Sequence, residues 1–307
     1  MTFMEKEIIL PKILIDSGLS LDKNIFRYRP DREIPNTQNE KGTGKNYILE
    51  EIRKKSLWHS SIVLLNDPFE VYAKKNINEF NLMSEVQRKL LFAKISPGKF
   101  PTNLAELRGH KDLHFEYNKN KYKLEEKVNI SLNEEKDKGF KEIITNVREN
   151  IGISCFTSIC DSRLMWGYYC NGLSGVCLIY NKEKLEQNRI NLQQVKYIKD
   201  SHSINVLDLI YNRNEMERNK ILSDIATYKH YEWSHESEHR SIVSLNKNEI
   251  GKGSIFRMKN SCLDGVIVGS NVTNSVQKII RKKSKEFKFK LFKAEVDYSS
   301  FSVKISY

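Results

Sequence analysis

No run of about 18 apolar residues occurs in the 307 residues, so a membrane-spanning helix is not expected. A basic-then-apolar N-terminal stretch ending in a cleavage site is also missing, and the expectation is a cytoplasmic protein with no membrane partner. Cysteine is sparse: Cys155, Cys160, Cys170, Cys177 and Cys262 are odd in number and never stand as C-x-x-C. That pattern argues against a disulfide framework or a cysteine zinc site and predicts reduced, packed thiols. There is no internal repeat and no stretch of linker-like low complexity. Acidic residues are the scarcer charge, with 39 Asp+Glu against 51 Lys+Arg and a formal charge of +12. The excess concentrates in KIIRKKSKEFKFKLFK, Lys278 to Lys293, where eight cations face one anion. Such a face predicts a polyanionic partner, RNA or DNA. The alternative is the solvated surface of a lysine-rich protein.

What is present is enough apolar residue, 39%, to bury a core, and 29% charged residues that fit solvated helices. NIFRYR alternates as a strand should before Pro30, ILEEIRKKSL has helical spacing, WHSSIVLL reads as a strand and NDPFE as its turn. From about residue 76 to 150 the chain changes character. NLMSEVQRKLLFAKI and YKLEEKVNISLNEEKDKGFKEIITNVREN carry apolar residues three and four apart, the mark of helices, with SPGKFPTN breaking between them. GISCFTS then reads as a strand, DSRLMWGYYC as a short helix capped by Asp161, and VCLIY as a further strand. A second helical stretch is expected over roughly 204–228. DGVIVGS is a buried strand, TNSVQKIIRKKS a basic helix, and the remainder a hairpin-like pair of strands. The expected class is α+β, an interrupted antiparallel sheet core formed by 1–75 and 151–307 with a helical insertion at 76–150.

The stretch HESEHR, His235 to Arg240, supports two backbones. On a helix, His235 and His239 share a face and Glu236 would activate a metal-bound water, the zinc-hydrolase pattern. No convincing third ligand accompanies them, and SIVSL directly afterwards favours a strand. On a strand, Glu236, Glu238 and Arg240 project together, two carboxylates roughly 7 Å apart with Arg240 keeping both ionised. The strand reading places them in one cleft with Arg29. It also admits a plain alternative, an ion-pair network.

NDPFE at Asn66, SCFTS followed by LMWGYY and GLSGVCL, W-x-x-E-x-E-x-R from Trp233 to Arg240, and DGVIVGS from Asp264 resemble, in this order, a widespread bacterial domain-of-unknown-function family. More distantly, Tyr28-Arg29 on the first strand, SCFTS on the second and ESE on a later one resemble the ADP-ribosyltransferases. That resemblance implies NAD as cofactor and a toxin or antiphage effector acting on nucleic acid or a nucleic-acid-bound protein, with an antitoxin or regulatory protein as a further partner. By the same resemblance Glu238 would stabilise the oxocarbenium-like transition state and Glu236 would orient or deprotonate the acceptor. Arg29 would hold the pyrophosphate with Tyr28 beside it, and Ser154 and Thr157 would line the second strand. Trp166 and Tyr169, three apart on one helix face, would wall a nicotinamide slot, unless Trp166 belongs to the core. Three functions therefore stand together: an NAD-consuming ADP-ribosyltransferase-like enzyme, a non-catalytic nucleic-acid-binding or regulatory module, and a zinc hydrolase.

Overall fold

A computed structural model describes residues 8–33, 45–67, 69–75, 83–94, 99–100, 110–133, 135–200, 203–204, 220–221 and 223–307. The N-terminal part contains α1 (Lys12–Asp16), β1 (Asn24–Pro30), α2 (Tyr47–Lys54) and β2 (Ser56–Ser61). After it come β3 (Lys74–Lys75), α3 (Glu85–Lys94), α4 (Lys111–Asn133) and α5 (Glu135–Asn150). Next are β4 (Ile151–Thr157), α6 (Arg163–Cys170), β5 (Gly175–Asn181) and α7 (Lys182–Gln187), then the short strands β6 (Gln193–Gln194), β7 (Lys196–Ile198), β8 (Ser203–Ile204) and β9 (Tyr228–His230). The chain ends with β10 (Glu238–Ser244), β11 (Gly253–Arg257), β12 (Leu263–Gly269), α8 (Asn274–Phe287), β13 (Lys290–Asp297) and β14 (Ser302–Ser306).

The chain divides into two compact units. The first comprises Met1–Pro68, Glu149–Tyr197 and Lys229–Tyr307; the second comprises Phe69–Arg148 and Ile198–Tyr228. The second unit thus draws on a second segment as well as the insertion, where the sequence reading placed 204–228 within the core. Most of that segment's expected helix lies outside the described residues, as does most of SPGKFPTN. In the second unit α3 and α4 bury Leu91, Ala93, Leu113 and Tyr117 in a small core of their own.

The first unit is α+β. Its ten-stranded sheet runs β11-β2-β4-β1-β5-β12-β13-β14, with β10 on β4 and β6 on β10. The pairs are antiparallel except β12 with β13, which α8 connects as a parallel crossover. One face packs α1 and α6 around Phe26, Cys177, Ile179 and Trp166. The other packs α2 and α8 around Ile25, Phe156, Leu178 and Val266. Strand β1 pairs with β5 along its whole length but meets β4 only where Phe26 stands opposite Thr157. The seam left between β1 and β4 is filled by Arg27, which donates to the carbonyl oxygens of Cys155 at 2.7 Å and Trp58 at 3.1 Å and pairs with Glu51 on α2. Gly175 starts β5 because a Cβ there would meet the Arg29 carbonyl oxygen at 2.4 Å.

Local chemistry explains the helix ends. Asn46 accepts from the Ile48 and Leu49 amides to start α2, and Lys55 closes it in the left-handed conformation. Ser162, rather than the expected Asp161, caps α6, because its Oγ reaches the Met165 amide three residues on. WHSSIVLL is a strand only to Ser61, and Ile62–Leu64 form a 3-10 turn that tucks Ile62 inward.

Candidate functional site

Four charged side chains converge on the α1/α6 face of the sheet. Strand β9 supplies Lys229, a 3-10 turn over Tyr231–Glu236 supplies Glu236, and β10 opens with Glu238 and continues to Arg240. Between turn and strand, Ser237 takes a left-handed conformation with φ 42°, which stops the helix and reverses the chain. Glu238 and Arg240 stand opposite Thr157 and Cys155 in the β10–β4 register, and they share a face because alternate strand residues do. All four charged groups are buried, with Arg240 at 0% and Lys229, the most exposed, at 6%.

Every carboxylate oxygen in this cluster accepts a hydrogen bond. Arg240 donates Nε to Glu238 Oε1 at 2.8 Å and Nη2 to Oε2 at 3.0 Å. Lys229 Nζ bridges the two acids, 3.0 Å from Glu238 Oε2 and 2.6 Å from Glu236 Oε2. The Tyr169 hydroxyl donates to Glu236 Oε1 at 2.5 Å, and Tyr197 accepts the Glu238 amide at 2.8 Å. Burial alone would raise the Glu238 pKa, but the Arg240 guanidinium and the Lys229 ammonium outweigh it and hold the carboxyl at about 2. Burial, then the neighbouring Glu236, push the Tyr169 phenol far above its ordinary range, so it stays a donor. Two cations against two carboxylates, all desolvated and mutually hydrogen-bonded, make a cluster whose charges balance among these four side chains. It orders three pieces of chain, β9, the 3-10 turn and the start of β10.

The expected site is only partly assembled. Glu236, Glu238 and Tyr169 do come together, and Thr157 joins them by donating its hydroxyl to the Glu236 carbonyl at 2.6 Å. Glu236 is not on the strand, however, because β10 begins two residues later. Arg29 does not line the cleft expected for it. Phe26 shares the face of Thr157 and Glu238, so Arg29, three residues on, points to the opposite face, where it and Arg27 bind Glu51. Ser154 lies on that opposite face too, fully buried with an Oγ that finds no partner among the described residues. Tyr28 and Trp166 are core residues in a T-shaped contact, centroids 5.3 Å apart, and the Trp166 indole donates to the Cys160 carbonyl. The zinc backbone is not formed: His235 is in the 3-10 turn and His239 is on β10 with left-handed Ser237 between them, so they share no helical face.

Sequence reasoning missed Lys229, Tyr197, Glu51 and His59. Nothing marks Lys229 locally as buried, apart from Trp233 four residues on, whose ring lies 5.0 Å from its ammonium. His59 is a packing histidine. It is buried, its Nε2 is 3.0 Å from Ser241 Oγ, and burial followed by the nearby Arg27 charge lowers its pKa to about 4.

The second candidate is on the surface. Helix α8 turns Val276 and Ile280 into the core, with Phe287 packed against its margin, and points Lys278, Arg281, Lys282 and Lys285 outward. Those positions fall at i, i+3, i+4 and i+7, one stripe of the helix. None of the four pairs with an acid among the described residues. Lys283, by contrast, leans over the Phe287 ring at 4.9 Å and pairs with Glu286, so it is not part of the stripe.

Residues 165–241 match the family described as Protein of unknown function (DUF2971). The matched segment runs from α6 into β10 and holds Tyr169, Tyr197, Lys229, Glu236, Glu238 and Arg240. No curated protein and no solved structure matches the chain. No described helix is long and apolar enough to cross a membrane.

Proposed function

We propose that the protein is a nucleic-acid-binding module in which the Lys229–Glu236–Glu238–Arg240 cluster is structural and the α8 stripe is the working surface. The observation that carries this reading is the contrast between the two sites. The buried acids have every oxygen occupied, whereas four outward cations on one helix face have no counter-charge among the described residues. A phosphate polymer would gain affinity there by releasing its condensed counterions. Replacing Lys278, Arg281, Lys282 and Lys285 together by Ala is expected to weaken nucleic-acid binding by about hundredfold or more at ~50 mM salt, and to lower the salt slope by about 0.9 per lost phosphate contact. Fluorescence anisotropy across a salt series measures both, with thermal unfolding as the control for folding. Equal binding by parent and variant at every salt concentration would return the stripe to a solvated surface.

NAD glycosyl transfer is the second reading, and one observation favours it: β1, β4 and β10 are neighbours in the sheet, with Thr157 directly opposite Glu238. The remaining residues do not fit NAD as they stand. Arg29 and Ser154 face away from Glu238, and both acids are buried with a protein donor already on each oxygen. Nicotinamide release decides between the readings. The expected result is none above background with nucleic acid present; release by the parent that disappears in folded Glu238→Gln would reverse the order.

A further inference from the structure

We infer that the partner of α8 is a double-stranded nucleic acid held through its phosphates, without base stacking; this rests on the nucleic-acid reading above. Single-strand binders combine a cationic groove with aromatic rings on which bases stack, and the stacking supplies much of their affinity. The α8 stripe has no free ring. Phe287, the aromatic residue of the helix, is half-buried, with the Lys283 ammonium 4.9 Å and the Lys55 ammonium 5.2 Å from its centroid. Phe289 and Phe292, which follow on the way into β13, are buried in the two cores. Val276 and Ile280 also point inward, so the helix offers no apolar wedge to open a base step or enter a bilayer.

With stacking and wedging removed, affinity must come from counterion release, and that term depends on charge density. Salt slopes are about 0.9 per phosphate on duplex DNA and about 0.7 on single strands. For about four phosphates, matching the four cations of the stripe, and with duplex and single strand bound equally at ~1 M salt, this difference amounts to about tenfold tighter duplex binding at ~50 mM salt, shrinking to about fourfold at ~200 mM. The lack of base contacts further means that two duplexes of different sequence should bind alike.

The test uses the full chain with a labelled single strand, its duplex of equal length, a second duplex of different base composition, and phosphatidylserine vesicles. The expected result is duplex over single strand by about tenfold at ~50 mM salt, a gap that narrows as salt rises, and equal affinity for both duplexes. Replacing the exposed rings of Tyr298 and Phe301, which lie on the β13–β14 turn outside the stripe, should change neither affinity. A single strand bound as tightly as the duplex, a loss of binding in the Tyr298→Ala/Phe301→Ala variant, a tenfold preference between duplexes, or tighter binding to vesicles would each overturn the inference. Binding of neither nucleic acid at ~50 mM salt would instead sink the reading on which it rests.

Discussion

Arg240→Met is expected to cost about 3–5 kcal/mol of unfolding free energy, the largest effect of any single substitution considered for this chain. Arg240 is wholly buried and supplies two of the three side-chain N–H donors that Glu238 receives in the cluster. Without it an ionised carboxylate is left in a desolvated site facing one ammonium that it must share with Glu236. Methionine roughly preserves the volume, so the loss reports the stranded charge more than a cavity. The double variant Arg240→Met/Glu238→Gln removes both members of the pair and should recover a large part of the loss, giving a coupling of about 1–3 kcal/mol in the double-mutant cycle. Urea unfolding of the parent, both single variants and the double variant measures all the terms. A single Arg240→Met variant as stable as the parent would show that the cluster carries no structural load.

Acid is expected to destabilise the protein in two separable steps. Burial of His59 beside Arg27 lowers its folded pKa from 6.5 to about 4, so the folded state favours the neutral imidazole. Its contribution is complete above pH 6.5 and is lost as pH falls toward 4, about 3 kcal/mol in all. Glu238, held well below its ordinary 4.5 by Arg240 and Lys229 against burial, contributes above 4.5 and loses that contribution as pH falls below it. Both groups bind more protons in the unfolded chain at these pH values, so both slopes have the same sign. His59→Gln should flatten the upper step and leave the lower one. Stability measured by denaturant titration at half-unit pH intervals, with the same upper step in parent and His59→Gln, would assign that step to another group.

Much of the fold was legible because apolar spacing is a local property. Strands β1, β4, β5 and β12 and helices α2 and α8 all fall where alternation, short apolar runs or helical patterning placed them. The basic run from Lys278 was legible from composition, but the stripe within it was not, since Lys283 belongs to the run and yet leans over Phe287 and pairs with Glu286. The face of Arg29 was not legible. Strand β1 is buried on both sides along most of its length, so the alternation of its sequence does not say which side chains meet which layer. Glu236 failed for a different reason: a left-handed Ser237 ends the preceding turn, and serine has no marked preference for that conformation. Lys229 is buried by partners that come from the 3-10 turn and β10, a closure invisible in its immediate neighbours.

The placement of β1 also bears on the order in which the protein folds. It leaves the ribosome well before its continuous partner β5, which follows only after the whole Phe69–Arg148 excursion, and β12 closes the neighbouring position later still. Until Asn181 has been made, the ladder edge of β1 and the side chains of Ile25 and Phe26 have no native cover from β5. Pairings so distant along the chain pay loop-closure entropy before they return any contact, which makes such sheets slow to form and open to mispairing while they wait. For this protein the vulnerable species is therefore the unfinished chain, with an early apolar strand in search of a partner not yet synthesised.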